Sequence, residues 1–187
     1  MPSRIQITTP RLTLVGANDA LLRAAIDGRS VLAKTLNATV SSEWPPEHLD
    51  EAALRWALDA SENMPADAVW RMYLITLRST LADPLAGIAP IAIGTCGFKG
   101  APDCDGQVEV GYSIVPSHQR NGYATEATRA LMALAYRHGA RTVIAETYPE
   151  LVASRRVMEK CGMVLGGEGS EPGVIRYAHH HDLIGQR

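Results

Sequence analysis

The stretch Gln119-Arg120-Asn121-Gly122-Tyr123-Ala124, called here the 119–124 turn, has the residue types of an anion-binding turn. Gly122 leaves no side chain at the point where a ligand would meet the backbone. If a helix begins here, several backbone N–H groups and the positive end of the helix dipole converge on one point. Such a turn binds phosphate or another anion, although a single glycine between a strand and a helix is more often only a turn.

The sequence on either side predicts the two elements that this turn requires. Before the turn, apolar residues alternate with polar or small ones, as in a strand that ends at Pro116; the apolar positions are Val108, Val110, Tyr112 and Ile114. After the turn, small and apolar residues recur at helical spacing up to Gly139; they are Ala124, Ala127, Leu131 and Leu134. The predicted order is therefore strand, tight loop, helix.

Strands and helices are mixed along the rest of the chain. The patterns predict strands at residues 5–15, 69–77, 91–98, 142–147, 163–165 and 174–183. They predict helices at residues 18–28, 31–36, 49–60 and 149–160. Gly94 and Gly97 within a strand indicate a bulge or a close backbone approach. This mixture predicts a three-layer α/β fold, and a length of 187 residues predicts one domain over residues 1–187.

Composition argues against several classes of partner. A net charge of −2 gives no support for binding nucleic acid or a membrane surface. There is no apolar run near the roughly 20 residues of a membrane span and no signal-peptide pattern, so we expect a cytoplasmic protein. Three cysteines without a Cys-x-x-Cys pair predict neither disulfides nor zinc. On a strand His180 would face away from His179 and His181, so no metal is expected.

The 119–124 turn and its surroundings resemble the GNAT superfamily of N-acetyltransferases. The turn matches that family's Gln/Arg-x-x-Gly-x-Gly/Ala signature. Together with residues 108–112, 124–127 and 153–162, it is similar to the ribosomal-protein N-acetyltransferase branch, RimJ/RimL-like. The clear resemblance covers residues 91–165, with weaker likeness at 9–12 and 43–46. It implies a mixed, mostly antiparallel sheet that splays open between the strand of Glu109 and the strand of Thr142, with helices on both faces.

The resemblance also implies a cosubstrate, acetyl-CoA. The 119–124 turn and Thr125 would grip its pyrophosphate. The pantetheine arm would lie in the splayed gap and bond the strand edge near Ile114 and Val115. Arg155 and Lys160, with Arg120 and Arg156, would suit the 3′-phosphate, although each is individually more often a solvated surface charge.

Acetyl transfer to an amine requires a neutral amine and a stabilised thiolate. Glu109 matches the family position that removes the amine proton, with a solvated edge-strand carboxylate as the alternative. Ser154 matches a serine that the branch places near the sulfur; otherwise it bonds its own helix backbone. Met158 stands where many members have a proton-donating tyrosine, and methionine cannot donate. Leu151 replaces a usual asparagine, which puts the tightness of cofactor binding or the usual substrate in doubt.

Trp44 and Tyr112 are predicted to contact the acceptor, although Trp44 could equally be a packing anchor. The sequence therefore predicts direct acetyl transfer from acetyl-CoA to a primary amine, either the α-amine of a protein N-terminus or a small-molecule amine. The alternative is a non-catalytic acyl-CoA-binding module with a degenerate site. Because family members are often dimers, the resemblance also raises the expectation of a homodimer.

Overall fold

A computed structural model describes residues 5–65, 68–78 and 89–181. Within these ranges the strands are β1 Gln6–Thr8, β2 Leu12–Gly16, β3 Thr39–Val40, β4 Met72–Leu77, β5 Ile91–Phe98, β6 Gln107–Ile114, β7 Thr142–Thr147, β8 Val164–Glu168 and β9 Ile175–His180. The helices are α1 Asp19–Asp27, α2 Arg29–Leu36, α3 Glu51–Glu62, α4 Tyr123–Arg137 and α5 Val152–Lys160. A short 3₁₀ turn, Pro116–His118, joins β6 to the 119–124 turn.

The strands form one mixed sheet in the order β1-β2-β4-β5-β6-β7-β9-β8, with β3 beside β5. Its pairings are antiparallel except β3 with β5 and β6 with β7, which are parallel. The sheet is thus largely antiparallel, as predicted.

The parallel pair β6–β7 opens after a short contact. Residues 107–109 pair with 142–144, where the register ends. Beyond that point β6 continues to pair with β5, through Val110 opposite Phe98 as far as Ile114 opposite Gly94. Meanwhile β7 continues to pair with β9 as far as Thr147. A gap therefore opens towards the carboxyl ends of β6 and β7, and the predicted splay is confirmed.

Helices lie on both faces of the sheet and form a three-layer fold. Each face is joined to its helices by one cluster of buried apolar side chains. On one face α4 and α5 bury Leu131, Ala135 and Met158 against β4, β5 and β6. On the other face α1, α2 and α3 bury residues such as Leu22 and Leu32 against β2, β4 and β5. Burial of these apolar side chains is the main force that holds helices to both faces.

The two glycines of β5 permit close contact with neighbouring strands. A Cβ at Gly94 would lie 2.2 Å from the Ser113 carbonyl oxygen, and one at Gly97 would lie 2.6 Å from the Arg71 carbonyl oxygen. The β4–β5 register also shifts between Ile75 and Thr76, which marks a bulge. The predicted close approach is confirmed, and any larger residue at either glycine would push the strands apart.

Several predicted element boundaries were wrong. Residues 5–15 form a hairpin rather than one strand, because the Thr9 N–H bonds the Leu12 carbonyl (2.9 Å) and turns the chain at Pro10. The strand predicted from Val69 begins at Met72. The helix predicted from Pro149 begins at Val152, after a turn closed by the Leu151 N–H on the Tyr148 carbonyl (3.1 Å). Residues 79–88, between the strands predicted at 69–77 and 91–98, lie outside the described ranges, as do residues 182 and 183 of the last predicted strand.

In the described part of the chain no helix is long and apolar enough to cross a membrane. Among the same residues no three His, Cys, Asp or Glu side chains are grouped to hold a metal ion. Instead, the His179 imidazole bonds the Tyr136 hydroxyl (2.7 Å) and the His180 imidazole bonds the Thr142 hydroxyl (3.0 Å). All three cysteines are free thiols.

Candidate active site

The 119–124 turn presents a set of unpaired backbone donors. Gly122 has φ of 80° and α4 begins at the next residue, so the first N–H groups of the helix have no intrahelical acceptor. Across the described ranges, no acceptor bonds the backbone N–H groups of residues 120–125. An anion at this point would receive these donors together with the positive end of the α4 dipole. The turn therefore fits a phosphate group.

Side chains of the turn fix its shape. The Gln119 amide nitrogen donates to the Ile114 carbonyl (2.9 Å), and the Asn121 amide nitrogen donates to the Gln119 carbonyl (3.0 Å). Arg120 has φ of 62°, in the left-handed region. These bonds hold the backbone donors of the turn in place before any ligand arrives.

A cavity of about 1640 Å³ runs from this turn through the splayed gap. Most of the turn lines it, together with Thr125. Its remaining wall comes from both faces of the sheet: 47–49, 53, 56–57, 60–61, 64, 70–72, 95–100, 110–114, 146–148, 150–154, 156–158, 160, 170–171 and 174 are among the lining residues. The volume exceeds the roughly 300–1,000 Å³ of an ordinary small-ligand pocket, so there is room for a long cosubstrate and an acceptor together.

One backbone edge of β6 faces this cavity. The Glu109 carbonyl accepts from the Lys99 N–H (3.0 Å) and the Val115 N–H donates to the Ile93 carbonyl (2.9 Å), so the odd-numbered residues bond towards β5. Antiparallel strands alternate the side to which their backbone groups point. The N–H and C=O groups of Val110, Tyr112 and Ile114 therefore point into the gap.

Of the two residues predicted to bond the pantetheine arm from the strand edge, Val115 cannot do so. Both backbone groups of Val115 are already paired, because its carbonyl also accepts from the His118 N–H (3.0 Å). Its side chain is fully buried. Of the two residues predicted to bond the pantetheine arm, only Ile114 faces the gap, and its carbonyl already accepts from Gln119.

Two hydroxyl groups meet across the gap. The Tyr112 hydroxyl donates to the Ser154 carbonyl (3.0 Å) and lies 3.3 Å from the Ser154 hydroxyl. Burial raises the pKa of Tyr112 to about 12, so this phenol keeps its proton at ordinary pH. Tyr112, Ser154 and Met158 all line the cavity, and the Met158 side chain is almost fully buried. The pair joins β6 to the first turn of α5 and offers proton donors where Met158 has none.

Glu109 forms an ion pair with Lys99 on the same face of the sheet as Gly111. Lys99 and Gly111 line the cavity, but Glu109 does not. A Cβ at Gly111 would meet nothing within 4 Å, so there is open space beside the carboxylate. The role of Glu109 as a base stays a prediction, with one of its oxygens held by Lys99.

Other predicted residues lie further from the cavity. Trp44 packs against the cluster formed by α1, α2 and α3 and does not line the cavity. Arg155 bonds the Tyr177 hydroxyl (3.3 Å) and the Pro149 carbonyl (3.2 Å). Lys160 and Arg156 do line the cavity. Of the four cations predicted for the 3′-phosphate, Arg120 also lines the cavity and only Arg155 does not, and their role stays a prediction.

The sequence did not single out Arg11 and Glu126, which join the β1–β2 hairpin to α4. The Glu126 carboxylate accepts from the Thr9 hydroxyl (2.6 Å), the Arg11 backbone N–H (2.9 Å) and the Arg11 Nε (2.7 Å). Burial acts to raise the pKa of Glu126, but these bonds outweigh it and the pKa is lowered overall. The only sequence signal was the weak family likeness at residues 9–12.

Glu146, at the end of β7, is a second carboxylate that the sequence did not single out. It accepts from the Ser170 N–H (3.0 Å) and hydroxyl (2.6 Å), and from the Arg176 Nε (2.8 Å). Its side chain is only 6% exposed. These bonds fasten the β8–β9 connection to the cavity wall, since Glu146, Ser170 and Glu171 all line the cavity.

Comparisons with known proteins agree with this architecture. A model of the acetyltransferase (GNAT) domain family matches residues 20–164. The uncharacterized N-acetyltransferase YjdG of Bacillus subtilis is 26% identical over 170 residues, covering 89% of this chain and 94% of that protein.

Two solved structures share the fold. RimL, a ribosomal L7/L12 α-N-protein acetyltransferase solved in complex with coenzyme A, has a TM-score of 0.65 at 20% identity over 96% of this chain and 99% of that one. A putative ribosomal-protein-serine acetyltransferase from Vibrio cholerae has a TM-score of 0.63 at 19% identity over 95% and 98% of the two chains. Since the family match spans most of the sequence, this chain belongs to the GNAT family of acetyltransferases.

Proposed function

We propose that this protein transfers the acetyl group of acetyl-CoA directly to a primary amine, within a complex that holds both substrates. The observation that carries the proposal is the continuous cavity between the unpaired donors of the 119–124 turn and the hydroxyl pair of Tyr112 and Ser154. A phosphate at the first point and a thioester near the second would suit the two ends of acetyl-CoA. No covalent acyl-enzyme is required, because the amine can attack the thioester directly. Cys96 and Cys161 are buried thiols, and the exposed Cys104 does not line the cavity.

Each step of the transfer has a candidate group in the chain. The amine nitrogen attacks the thioester carbonyl, and gap-facing N–H groups of β6 are placed to stabilise the oxyanion that forms. The carbon–sulfur bond then breaks, and the Ser154 hydroxyl, held beside Tyr112, is placed to give the departing thiolate a proton. Glu109, directly or through water, takes the proton that the neutral amine loses on attack, and that proton returns through solvent to restore the Ser154 hydroxyl. A neutral amine and acetyl-CoA thus give the amide and the CoA thiol with no net proton released, whereas an ammonium acceptor first loses one proton to solvent.

The cavity wall favours a cationic acceptor with an apolar neighbour. Four apolar side chains in the wall are exposed: Trp56, Tyr148, Leu151 and Val152. Four carboxylates also line the wall, namely Glu47, Glu146, Glu150 and Glu171, and of these Glu146 is paired with Arg176. Such a surface attracts an ammonium group and accommodates an apolar side chain beside it.

Among cationic amines we favour the α-amine of a polypeptide over a lysine side chain. The α-amine has a pKa of about 8 and lysine one of about 10.4, so the α-amine reaches its neutral form more easily. This difference matters here because Lys99 already binds one oxygen of the Glu109 carboxylate. The fold shared with RimL, which acts on the α-amine of a ribosomal protein, supports the same choice. A small amine with an apolar body remains the second candidate, favoured by the exposed Trp56 and Tyr148.

Thiol release from acetyl-CoA tests the proposal with a matched panel of acceptors. The panel contains a peptide with a free α-amine and an apolar first residue, the same peptide with its α-amine blocked and one lysine, a small aromatic amine and an acidic amino acid. We expect turnover with the free α-amine, weaker turnover with the aromatic amine and little with the other two. CoA binding without transfer to any amine would instead indicate a non-catalytic acyl-CoA-binding module.

A further inference from the structure

We infer that Arg11, paired with Glu126, is a positioning residue that holds the 119–124 turn in shape and cancels a negative charge beside its anion site. The inference rests on the proposed function only in taking CoA as the ligand of the turn. Neither residue belongs to the turn, and Arg11 comes from the opposite end of the chain.

The guanidinium of Arg11 bridges two parts of the anion site. Its Nε donates to the Glu126 carboxylate (2.7 Å) and its Nη1 donates to the Asn121 carbonyl (2.9 Å). It also lies over the Tyr123 ring, with the guanidinium carbon 4.7 Å from the ring centroid. Arg11 therefore contacts the turn on both sides of Gly122, at Asn121 and at Tyr123, and fixes the angle at which α4 begins.

Glu126 places a negative charge beside the anion site, and Arg11 neutralises it. A carboxylate in the first turn of a helix is favourable for the helix dipole, but it repels a phosphate bound at the same helix end. The Glu126 side chain is 15% exposed, so water screens its charge incompletely. With the Arg11 guanidinium in direct contact, the pair has no net charge, and the phosphate meets the backbone donors without a competing anion.

One nitrogen of Arg11 is left for a ligand. Within the described ranges the Arg11 Nη2 has no hydrogen-bond acceptor, and it lies 3.4 Å from the position that a Cβ at Gly122 would occupy. That position is the open side of the turn, where the glycine permits a ligand to approach. Because a guanidinium binds phosphate through planar N–H groups, Nη2 adds a hydrogen-bond donor to the rim of the site.

Calorimetric titration of the full chain with CoA separates charge balance from simple scaffolding. Arg11→Met keeps an apolar stem over Tyr123 but leaves the Glu126 charge uncancelled, and we expect CoA affinity to fall by about tenfold or more. Glu126→Gln alone should change the affinity by less than about threefold, because it removes the repulsive charge. The double variant should recover most of the loss.

A merely structural role predicts a different pattern. In that case the double variant would bind CoA as weakly as Arg11→Met, and this result would overturn the inference. An Arg11→Met variant that binds CoA as tightly as wild type would also overturn it. Arg11→Lys keeps the charge but cannot bond Glu126 and Asn121 together. If Arg11→Met folds poorly, an Arg11→Lys affinity equal to wild type would also overturn the inference, whereas a loss of about threefold supports it.

A shortened donor isolates the pyrophosphate. S-acetylpantetheine lacks the pyrophosphate and the nucleotide, so its kcat/KM should be equal in wild type and in Arg11→Met, while that of acetyl-CoA falls. An equal loss with both donors would overturn the inference. Failure of the wild-type protein to bind CoA would instead contradict the proposed function, so the two failures are distinguishable.

Discussion

The 119–124 turn and the acceptor wall line the same cavity, but the chain assembles them differently. The turn comes from one continuous run, β6, the 3₁₀ turn and the start of α4. The acceptor wall, which we define by Glu47, Trp56, Tyr148, Leu151 and Glu171, draws on α3, two loops and the β8–β9 connection.

This difference in assembly separates two tasks: the turn is proposed to bind the cosubstrate, and the acceptor wall is proposed to select the amine. We expect backbone donors to bind the phosphates, so this part of the site depends mainly on chain conformation. The acceptor wall depends on exposed side chains in segments that are distant in sequence, and these can change one at a time without disturbing the turn. Variants should therefore fall into two groups, those that lose CoA binding and those that lose transfer alone.

Gly122→Val should have the largest effect and remove CoA binding. A branched side chain at φ of 80° is strained by about 1–3 kcal/mol and covers the open side of the turn. Losing one or two hydrogen bonds to a charged phosphate, about 1.5–3 kcal/mol each, predicts an affinity loss of about 100-fold by calorimetry. Gly139→Val is the matched control, since Gly139 has φ of 89° but follows the other end of α4. Equal CoA losses in the two variants would refute a local role for Gly122.

Glu109→Gln should lower kcat and leave CoA affinity intact, so we expect it among the variants that lose transfer alone. A positioned base contributes on the order of 10²–10⁴ in rate, and we expect about 100-fold at pH 7 because Lys99 holds the carboxylate. The deficit should shrink as pH rises, since the amine then loses its proton to solvent. Wild-type kcat from pH 6 to 9 would show that Glu109 is only a surface carboxylate.

Ser154→Ala should lower kcat by about tenfold, and Tyr112→Phe by somewhat less, through loss of proton donation to the thiolate. Because the pKa of Tyr112 is raised to about 12, the phenol stays protonated from pH 6 to 10. The Tyr112→Phe deficit should therefore be independent of pH, unlike that of Glu109→Gln. A pH-dependent deficit in both variants would argue against separate roles for the two groups.

Glu146→Gln should have the smallest effect, a loss of about 1–2 kcal/mol in the free energy of unfolding at pH 7. Burial acts to raise the pKa of Glu146, but the bonds from Ser170 and Arg176 lower it overall. A carboxyl whose pKa is lowered by folding stabilises the protein above its unfolded pKa, and this contribution is lost as pH falls through the folded value. Thermal unfolding curves of wild type and variant should converge under acidic conditions; a constant difference down to pH 3 would contradict this account.

The parts of the fold that sequence reasoning predicted are local ones. The alternation in β6, the glycine of the turn and the helical spacing of α4 lie within one short segment, so the pattern alone reveals their order. The bond between Arg11 and Glu126 joins residues 115 positions apart, and no local pattern contains it. The Lys99–Glu109 pair likewise depends on how β5 returns beside β6.

Boundaries failed where a turn competed with a regular element. Pro10 and Pro149 were each assigned to an element, although hydrogen-bonded turns at Thr9 and Leu151 delay the next one. Trp44 was predicted either to contact the acceptor or to be a packing anchor, and its partly buried side chain packs against the cluster of α1, α2 and α3. Side-chain environments of this kind come from packing between segments, which spacing does not encode.

The gap-facing edge of β6 links the stability of the fold to its ligand. Unpaired strand edges are prone to join other chains. A pantetheine arm carries amide groups of its own and can pair with this edge as an added strand would. Ligand present at 100 times its dissociation constant stabilises the folded state by about 2.7 kcal/mol. The supply of CoA should therefore set the apparent melting temperature, and protein depleted of CoA should be the form most prone to edge-to-edge association.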